Sequence, residues 1–491
     1  MRTNFVIVAG ATIFLLCQGV LLYSVRLDGA PSKGVKVGAG TQGRLVQLVT
    51  REEGTAARQG PKPRWARRQD PPPPAEVAAG ARRLRQAQEA ALRRWTRPDA
   101  TSTTVFPPGH EDGACVGSGP PRIGAFAAVV MVTFDRAEYL ARALESMLHV
   151  HALDPDNQLR FPLYISQDSD APGVQEVIEQ HLDKLRYLQH REVAPPIPSN
   201  KREILAYYRI ANHYKFIFQT FFDCFGFARL IILEDDMLLA PDFFPYFLGL
   251  GRFMDADPSL YCVSSWNDHG QSKFVRDQHT LHRTDFFPGL GWMTNAGVWT
   301  SIREAWPPAY WDDWMRLNST RQGRQCIRPE VSRTYNFGEH GSSKGQYFRT
   351  FLKPVTLASE AIDWASEDLS HLLPDEYATR FEAMLASAPT LAADAAWTSA
   401  AGPVRVEYAS LQQYRLITGR YRMLREWKDG VPRAAYRGVV RVRNPNGVEV
   451  LIAPVPGFDP GAAAASGEGR AQEPGGAMGR RGKLVTRSIT D

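Results

Sequence analysis

The sequence predicts an α/β fold in which a mixed, mainly parallel sheet is flanked by helices and followed by a smaller C-terminal α+β domain. From about Gly124 onward, short apolar runs alternate with helical periodicity in the order strand, helix, strand, helix, strand. This order is typical of a parallel sheet with right-handed crossovers. The chain has 491 residues, 44% of them hydrophobic, which is enough for one large or two moderate domains.

Three strands are predicted in the first part of this fold, and each ends in polar residues. The runs are AFAAVVMVTF from Ala125, FPLYISQ from Phe161 and ARLIILE from Ala228, and an amphipathic helix, Glu203–Phe222, precedes the third. The polar residues that follow are Asp135 and Arg136, then Asp168, then Glu234, Asp235 and Asp236. Since ligands bind at the carboxyl ends of strands in open α/β sheets, these strand ends predict one binding site.

The positive charge of the chain is confined to one N-terminal stretch. The formal net charge is +6, and residues 26–100 hold 16 Lys/Arg against 7 Asp/Glu. With Arg2 also counted, residues 101–491 have a net charge of −4. A nucleic-acid-binding domain would carry its excess of Lys and Arg on the folded part, so the distribution argues against a nucleic-acid partner.

The N-terminal segment is interpreted as a single-pass membrane anchor. Residues 5–25 carry no charge and are long enough to cross a hydrocarbon core of roughly 30 Å, after a tail of residues 1–4. A cleaved signal peptide is the alternative, although its apolar region would normally be shorter. Arg26, Lys33 and Lys36 by themselves favour a cytosolic body, whereas long domains translocate largely regardless of such charges. The residues alone leave both orientations open.

Two further segments are expected to lie outside the folded body. Residues 26–120 are rich in Pro and poor in bulky apolar side chains, which predicts a stem with stiff polyproline II at Pro71–Pro74 and a stalk helix at Glu76–Trp95. Residues 460–491 are rich in Gly and Ala and are expected to be disordered.

The triplet Glu234, Asp235 and Asp236 closes an apolar strand, and adjacent buried carboxylates require a positive partner. Mg²⁺ and Mn²⁺ prefer oxygen ligands and typically take one or two protein carboxylates together with phosphate oxygens and water. The triplet therefore predicts a metal–diphosphate site. The alternative is that Asp235 and Asp236 cap the following turn; Asp242 is also placed to cap the next helix.

A second acidic pair, Asp312 and Asp313, lies between Trp311 and Trp314 in the segment YWDDWMR. Aromatic rings around a carboxylate suit a sugar, because C–H faces stack on indoles and the carboxylate binds hydroxyl groups. An ordinary helix start with buried tryptophans is the alternative. Residues 283–299, RTDFFPGLGWMTNAGVW, are so rich in Gly and Pro that we expect a binding loop.

Long segments of the chain resemble the N-acetylglucosaminyltransferase I family over roughly residues 124–459. They include FDR, SQD, ANHY, LEDDMLLAPDFFPYF, DPSLYCVSSWNDHG, RTDFFPGLGW, YWDDWMR, RQGRQCIRPEVSRT, FGEHGSSKGQYF and GVPRAAYRGVV. The resemblance implies a GT-A-like fold and a Mn²⁺-dependent, inverting transfer of GlcNAc from UDP-GlcNAc to a mannose of an oligomannose N-glycan. The expected divisions of the folded part are a GT-A-like domain at 121–340, a donor loop and linker at 341–375, and a C-terminal domain at 376–459.

The resemblance also assigns roles to individual residues. Asp236 would be the direct metal ligand and Asp312 the catalytic base, while Glu234 and Asp235 would contact the sugar and ribose of the donor. The other implied donor contacts are Arg136, Asp168 and His213 in the nucleotide pocket, Leu290 and Trp311 beside GlcNAc, and Ser343 in the loop Gly338–Lys344, which closes over the donor. Without the resemblance, His213 would be taken for a helix-surface histidine and Arg136 for an exposed turn residue.

The cysteines fit an oxidising compartment. The family pattern pairs Cys262 with Cys326, and Phe134 and Ser169 stand where its other pair is expected. Cys115 and Cys224 are then expected to be free thiols, and Cys17 lies in the anchor.

The resemblance implies a type II protein of the Golgi membrane with its catalytic domain in the lumen, and the sequon Asn318-Ser319-Thr320 is compatible with that side.

Two alternatives to this function stay open. A related β-1,2-GlcNAc transferase acting on O-mannosyl glycans would share the chemistry and differ in acceptor. An inactive glycan-binding relative would be expected to lack Asp236 or Asp312, and both are present.

Overall fold

The computed structural model describes residues 124–191, 202–341, 345 and 347–465. The predicted anchor, stem and most of the C-terminal tail lie outside these residues. Among the described helices none is both long and apolar enough to span a bilayer.

Fifteen strands are present within the described residues. They are β1 (Ala128–Thr133), β2 (Leu163–Gln167), β3 (Arg186–Gln189), β4 (Arg229–Glu234), β5 (Met237–Leu239), β6 (Leu260–Ser264), β7 (Leu281–Thr284), β8 (Trp292–Asn295), β9 (Gln325–Pro329), β10 (Thr334–Asn336), β11 (Val404–Tyr408), β12 (Trp427–Lys428), β13 (Val431–Pro432), β14 (Val440–Arg443) and β15 (Glu449–Pro454).

The α-helices of the described residues are α1 (Ala137–His151), α2 (Asn157–Arg160), α3 (Pro172–Glu179), α4 (Arg202–Phe218), α5 (Phe243–Ala256), α6 (Ala296–Ile302), α7 (Trp311–Met315), α8 (Asn318–Arg321), α9 (Pro374–Ser387), α10 (Ala393–Thr398), α11 (Leu411–Arg420) and α12 (Pro460–Ala465). Short 3₁₀ segments span Arg303–Ala305 and Ser370–Leu372, and π-helical turns span Gln219–Cys224 and Phe348–Leu352.

The main sheet has eight strands in the order β3-β2-β1-β4-β8-β6-β9-β7. Strand β1 pairs in parallel with β2 and with β4, β2 pairs in parallel with β3, and β6 pairs in parallel with β9. Strand β8 runs antiparallel to both of its neighbours, β4 and β6, and β7 runs antiparallel to β9. The central strands are almost completely buried, which explains why they read as continuous apolar runs. The predicted mixed sheet flanked by helices is confirmed.

The C-terminal part carries a smaller three-stranded sheet in the order β11-β15-β14. A second buried apolar cluster lies around it and includes Val406, Tyr414 and Ile452. Helix α11 begins with a side-chain cap, because the Ser410 hydroxyl accepts a hydrogen bond from the backbone N–H of Gln413.

Several local expectations are corrected. Residues 283–299 are not a single loop, because β8 lies within them at the centre of the sheet, where Trp292 and Met293 are buried. Asp242 is the N-cap residue of α5, but its side chain makes no capping hydrogen bond, because its carboxylate instead accepts hydrogen bonds from Trp364 and Arg333. The tail expected to be disordered from Pro460 begins with helix α12.

The cysteines of the described residues are bonded. Cys262 and Cys326 lie opposite each other on β6 and β9 and form the predicted disulfide, with Cα atoms 4.6 Å apart. Cys224 is also disulfide-bonded, so the expectation that it is a free thiol is wrong. Cys115 lies outside the described residues.

Replacing Cys262 and Cys326 together by Ser should lower the free energy of unfolding by about 4 kcal/mol, because a loop of 64 residues is no longer closed in the unfolded chain. Urea denaturation at equilibrium measures the difference. Equal stability of the double variant and the oxidised parent protein would contradict the prediction.

Candidate active site

The site lies at the carboxyl edge of the sheet. Strand β1 pairs with β2 on one side and β4 on the other, with Thr133 opposite Gln167 and Val132 opposite Glu234. The residues that follow these three strands are therefore held next to one another, although they are far apart in the sequence.

Arg136 supplies the positive charge that the acidic triplet requires. Its Nη2 contacts Oδ1 of Asp235 and lies 3.0 Å from Oδ2 of Asp236. The hydroxyl of Thr133 donates a 2.8 Å hydrogen bond to the other oxygen of Asp235. Among the described residues, Arg136 is the one cation paired with this triplet, so three carboxylates share one positive charge.

Burial dominates the electrostatics of the triplet. Desolvation and the charge of Asp236 raise the pKa of Glu234 to about 7. Burial also raises the pKa of Asp235 to about 6, although Arg136 acts in the opposite direction, and the pKa of Asp236 is raised by burial as well. Burial thus disfavours the ionised form of all three carboxyl groups, and a cation bound beside them would favour it.

Asp236 is held by the short β5–β10 ladder, in which Met237 lies opposite Asn336. The side-chain amide of Asn336 donates a 2.9 Å hydrogen bond to Oδ1 of Asp236. Gly338 approaches the same carboxylate so closely that a Cβ there would overlap it, with Cγ of Asp236 only 2.8 Å away. No sequence signal pointed to Asn336 as a support of the site, and Gly338 was expected only as the first residue of the donor loop.

Arg136 also fixes the segment that begins at Gly338. Its Nη1 donates a 2.8 Å hydrogen bond to the carbonyl of His340, and its guanidinium lies 4.7 Å from the ring of Tyr139. Tyr139 in turn stacks on Phe337 with ring centroids 5.4 Å apart. Ser343, in the same predicted donor loop, lies outside the described residues.

Asp168 and His213 are linked through His190, a residue that the sequence analysis missed. Nδ1 of His190 lies 2.6 Å from Oδ1 of Asp168, and its ring stacks on that of His213 at a centroid distance of 5.3 Å. His213 is buried and bonds through Nε2 to the hydroxyl of Ser166 at 2.7 Å. The helix-surface alternative for His213 is therefore wrong. Burial and the neighbouring His190 lower its pKa well below the ordinary value.

The signal that could have identified His190 is its position directly after strand β3. The charged run DKLRYLQHR conceals this strand, because β3 lies at the sheet edge and is only half-buried. The same corner contains Ser169, which stands where the resembling family has a cysteine. Its hydroxyl donates a hydrogen bond to the carbonyl of Phe134, so a hydrogen bond joins the two positions here.

Leu290 lies in a left-handed turn. Gly289, Leu290 and Gly291 all have positive φ, at 68°, 52° and 85°. The carbonyl of Leu290 accepts a 2.9 Å hydrogen bond from Thr334, and a Cβ on Gly291 would lie 2.6 Å from Oγ of Ser265. The turn is therefore packed tightly between β6 and β10, which fixes the backbone conformation of Leu290.

Trp311 belongs to the aromatic core, where it is 6% exposed. Its ring stacks on Tyr214 with centroids 4.0 Å apart, and the hydroxyl of Tyr214 donates a 3.1 Å hydrogen bond to Oε1 of Glu234. Burial, followed by the charge of Glu234, raises the pKa of Tyr214, and Asp312 contributes to the same shift. Asp312 is therefore electrostatically linked to the acidic triplet through one side chain.

Asp312 and Asp313 differ in environment. The side chain of Asp312 is 43% exposed and its Oδ2 lies 2.8 Å from Nη1 of Arg316. Asp313 is bound by the same nitrogen and by Lys428; burial acts to raise its pKa, but these two cations lower it overall. Both aspartates lie in the first turn of α7, whose N-cap is Tyr310 and whose first residue, Trp311, is buried, so the helix start at a buried tryptophan that was considered as the alternative is present.

The side chains at the sheet edge suit a divalent cation, although no group of three or more His, Cys, Asp or Glu side chains in the described part of the chain forms a complete metal cage. Asp236 and its neighbours offer oxygen atoms, the ligands that hard cations prefer. When all three carboxyl groups are ionised, the triplet carries two more negative charges than Arg136 balances, an excess that a divalent cation would neutralise. The charge and the donor atoms therefore fit a bound metal.

Comparison with known proteins identifies the class of this fold and site as a glycosyltransferase. Residues 116–459 match the model of the GNT-I family. A curated relative from Arabidopsis thaliana, alpha-1,3-mannosyl-glycoprotein 2-beta-N-acetylglucosaminyltransferase, is 43% identical over 320 residues, which are 65% of this chain and 71% of the relative. The chain belongs to the GNT-I family.

Two solved structures show weaker similarity. Mannosyltransferase PcManGT from Pyrobaculum calidifontis, in complex with GDP-Man and Mn²⁺, matches with 14% identity and a TM-score of 0.28 over 52% of this chain and 66% of that chain. S. aureus TarS 1–349 matches with 10% identity and a TM-score of 0.29 over 43% of this chain and 61% of that chain. Neither similarity is strong enough to support a conclusion about this protein.

Gly338→Ala should lower the free energy of unfolding by about 1–3 kcal/mol, because the added methyl group overlaps the buried carboxylate of Asp236. Gly402→Ala is the matched control, since nothing lies within 4 Å of a Cβ at that position. Chemical denaturation of both variants provides the comparison, and two equal stabilities would refute the close approach.

Proposed function

We propose that this protein is a metal-dependent, inverting glycosyltransferase that moves GlcNAc from UDP-GlcNAc to O2 of the α-1,3-linked mannose of an oligomannose N-glycan. This reaction would start the conversion to hybrid and complex N-glycans. Membership of the GNT-I family and the name of the Arabidopsis relative support the assignment. The GT-A-like classification of the fold is part of the same proposal.

The observation that carries the proposal is the position of Asp312 relative to the acidic triplet. Asp312 directly follows Trp311, whose ring stacks on Tyr214 with centroids 4.0 Å apart. The hydroxyl of Tyr214 donates a hydrogen bond to Glu234. A partly exposed carboxylate is therefore connected through two packed aromatic side chains to the buried acidic triplet. Such an arrangement can bind a donor at the acidic triplet and an acceptor hydroxyl at Asp312.

On the donor side, Asp236 would hold Mn²⁺, which when bound supplies Lewis-acid stabilisation of the departing diphosphate. Glu234 and Asp235 would accept hydrogen bonds from hydroxyl groups of the sugar and the ribose. Arg136 forms ion pairs with Asp235 and Asp236 and donates a hydrogen bond to the carbonyl of His340. It thereby joins the triplet to the start of the predicted donor loop.

The nucleotide would lie against Asp168 and His213, beside the edge strand. Their orientations are fixed by His190 and Ser166, so the polar atoms are arranged before a ligand arrives. Leu290 and Trp311 would border the GlcNAc ring, and Ser343 belongs to the loop proposed to close over it. Trp311 is largely buried, so its part is to shape the wall of the pocket.

On the acceptor side, Asp312 would take the proton from the mannose O2 hydroxyl as that oxygen attacks the anomeric carbon. Attack from the face opposite the leaving diphosphate converts the α linkage of the donor into a β linkage. The ion pair with Arg316 holds the carboxylate in place. One displacement completes the transfer, so no covalent glycosyl intermediate is required.

Incubation with UDP-GlcNAc and an oligomannose N-glycan should give a product longer by one GlcNAc, detected by mass spectrometry. Chelation with EDTA should abolish the transfer and Mn²⁺ should restore it, because the leaving diphosphate loses its counter-charge without the cation. Transfer at an unchanged rate in EDTA would exclude the metal role. Transfer to O-mannosyl glycans alone would exclude the N-glycan acceptor.

Asp236→Asn should weaken metal and donor binding together, because an amide oxygen is a poorer ligand for a hard cation. Asp312→Asn should leave UDP-GlcNAc binding nearly unchanged and lower kcat by roughly 10²–10⁴-fold, the usual contribution of a positioned base. Calorimetric donor titration and steady-state kinetics measure the two effects, with the exposed Asp183→Asn as control. A fully active Asp312→Asn protein would end this assignment of roles.

We further propose that the protein is a single-pass type II protein of the Golgi membrane, with the catalytic domain in the lumen. The apolar residues 5–25 and the disulfide Cys262–Cys326 support this placement. In intact microsomes, added protease should leave the catalytic domain undigested until detergent is present. Digestion without detergent would exclude the lumenal orientation.

A further inference from the structure

The segment that carries Asp312 is fixed to a β-hairpin of the C-terminal part. The hairpin consists of β12 and β13, and its turn residues Asp429 and Gly430 have φ of 47° and 82°, as a two-residue hairpin turn requires. Lys428 donates a 2.6 Å hydrogen bond to Oδ2 of Asp313, and Asp429 accepts one of 2.6 Å from the backbone N–H of Asn318. Two bonds therefore hold the hairpin against α7 and α8.

A continuous series of contacts leads from Asp312 to this hairpin. Nη1 of Arg316 lies 2.8 Å from Asp312 and 3.0 Å from Asp313, and Asp313 binds Lys428. The ammonium group of Lys428 is thus separated from the proposed base only by Arg316 and Asp313. A sugar attached to the reacting mannose would meet the polar side chains that lie between Asp312 and Lys428.

A second arginine, Arg433, fixes Glu426, which directly precedes the hairpin. Arg433 forms ion pairs with Glu426 and, at 2.7 Å, with Asp268. Its guanidinium and that of Arg316 each lie 5.1 Å from the ring of Phe286. Glu426 and Asp312 are therefore positioned relative to each other by two arginines that contact the same aromatic ring.

The outer members of this network still face solvent. The side chains of Asp313, Glu426 and Lys428 are 24%, 34% and 22% exposed, whereas the arginines that hold them are 8% and 16% exposed. Fixed carboxylates accept hydrogen bonds and a fixed ammonium donates them, which suits the adjacent hydroxyl groups of a pyranose. Because these groups are ordered beforehand, little conformational entropy is lost when a sugar binds.

We propose that Asp313, Glu426 and Lys428 form a subsite for a second sugar of the acceptor glycan, a hydroxyl-rich hexose attached to the mannose that Asp312 deprotonates. This inference rests on the proposed function. It adds the place at which the acceptor glycan continues beyond the reacting mannose. The subsite selects branched oligomannose over a single mannose unit. Its residues are different from those proposed to bind the donor.

The experiment compares two acceptors, a branched oligomannose and methyl α-mannoside. Lys428→Met should raise KM for the branched acceptor by roughly tenfold or more, because a hydrogen bond from a charged donor is lost. KM for UDP-GlcNAc should change by less than about twofold. Because Lys428→Met also breaks the bond to Asp313, kcat/KM for methyl α-mannoside can fall as well, but by a much smaller factor than kcat/KM for the branched acceptor. Lys428→Arg should restore part of the effect, and the exposed Lys353→Met serves as the matched control.

Glu426→Gln tests the subsite without breaking the Lys428–Asp313 pair, and it should show the same selective loss for the branched acceptor. An equal loss for both acceptors in the two variants, or a loss of thermal stability with unchanged selectivity, overturns the subsite and leaves the hairpin a structural support. If the unaltered protein transfers GlcNAc to neither acceptor, the proposed function itself is wrong and the subsite is rejected with it.

Discussion

The arrangement of the whole site depends on the ion pairs that Arg136 makes with Asp235 and Asp236. Buried carboxylates that stand next to each other are unfavourable, and one guanidinium relieves only part of that cost. The same guanidinium binds His340 and lies against Tyr139. One side chain therefore links strand β4, helix α1 and the segment after β10, and the negative charge that it leaves unbalanced is suited to a metal cation.

Support around this centre comes from groups that have no chemical role of their own in the proposed reaction. Asn336 and Gly338 confine the carboxylate of Asp236, and His190 confines Asp168. On the acceptor side, Arg316 performs the corresponding task for Asp312. In each case a functional oxygen is oriented by a neighbour that is itself packed or hydrogen-bonded, which keeps the geometry in place before a ligand binds.

The sheet brings together parts of the chain that contribute different chemistry. Strands β1, β2 and β4 end at the residues proposed to bind the donor. Strands β8, β6 and β9 lie in the other half of the sheet, and β8 and β9 flank in the chain the segment that carries Asp312. The disulfide between β6 and β9 lies in this second half. The C-terminal part then adds Lys428, which binds Asp313, and Arg433, which binds Asp268, so the β12–β13 hairpin is connected directly to the segment that carries Asp312.

The sequence by itself determined the alternation of strands and helices, the polar strand ends and the resemblance to the family, because all of these depend on local patterns of residues. The tertiary structure decided which residues meet. His190 follows an edge strand that its charged neighbours conceal, and β8 is only four residues long, too short for periodicity to show. Asn336, Gly338 and Lys428 lie about 100 residues or more from the carboxylates that they contact. Contacts across such separations are fixed by strand register and packing, which no local pattern encodes.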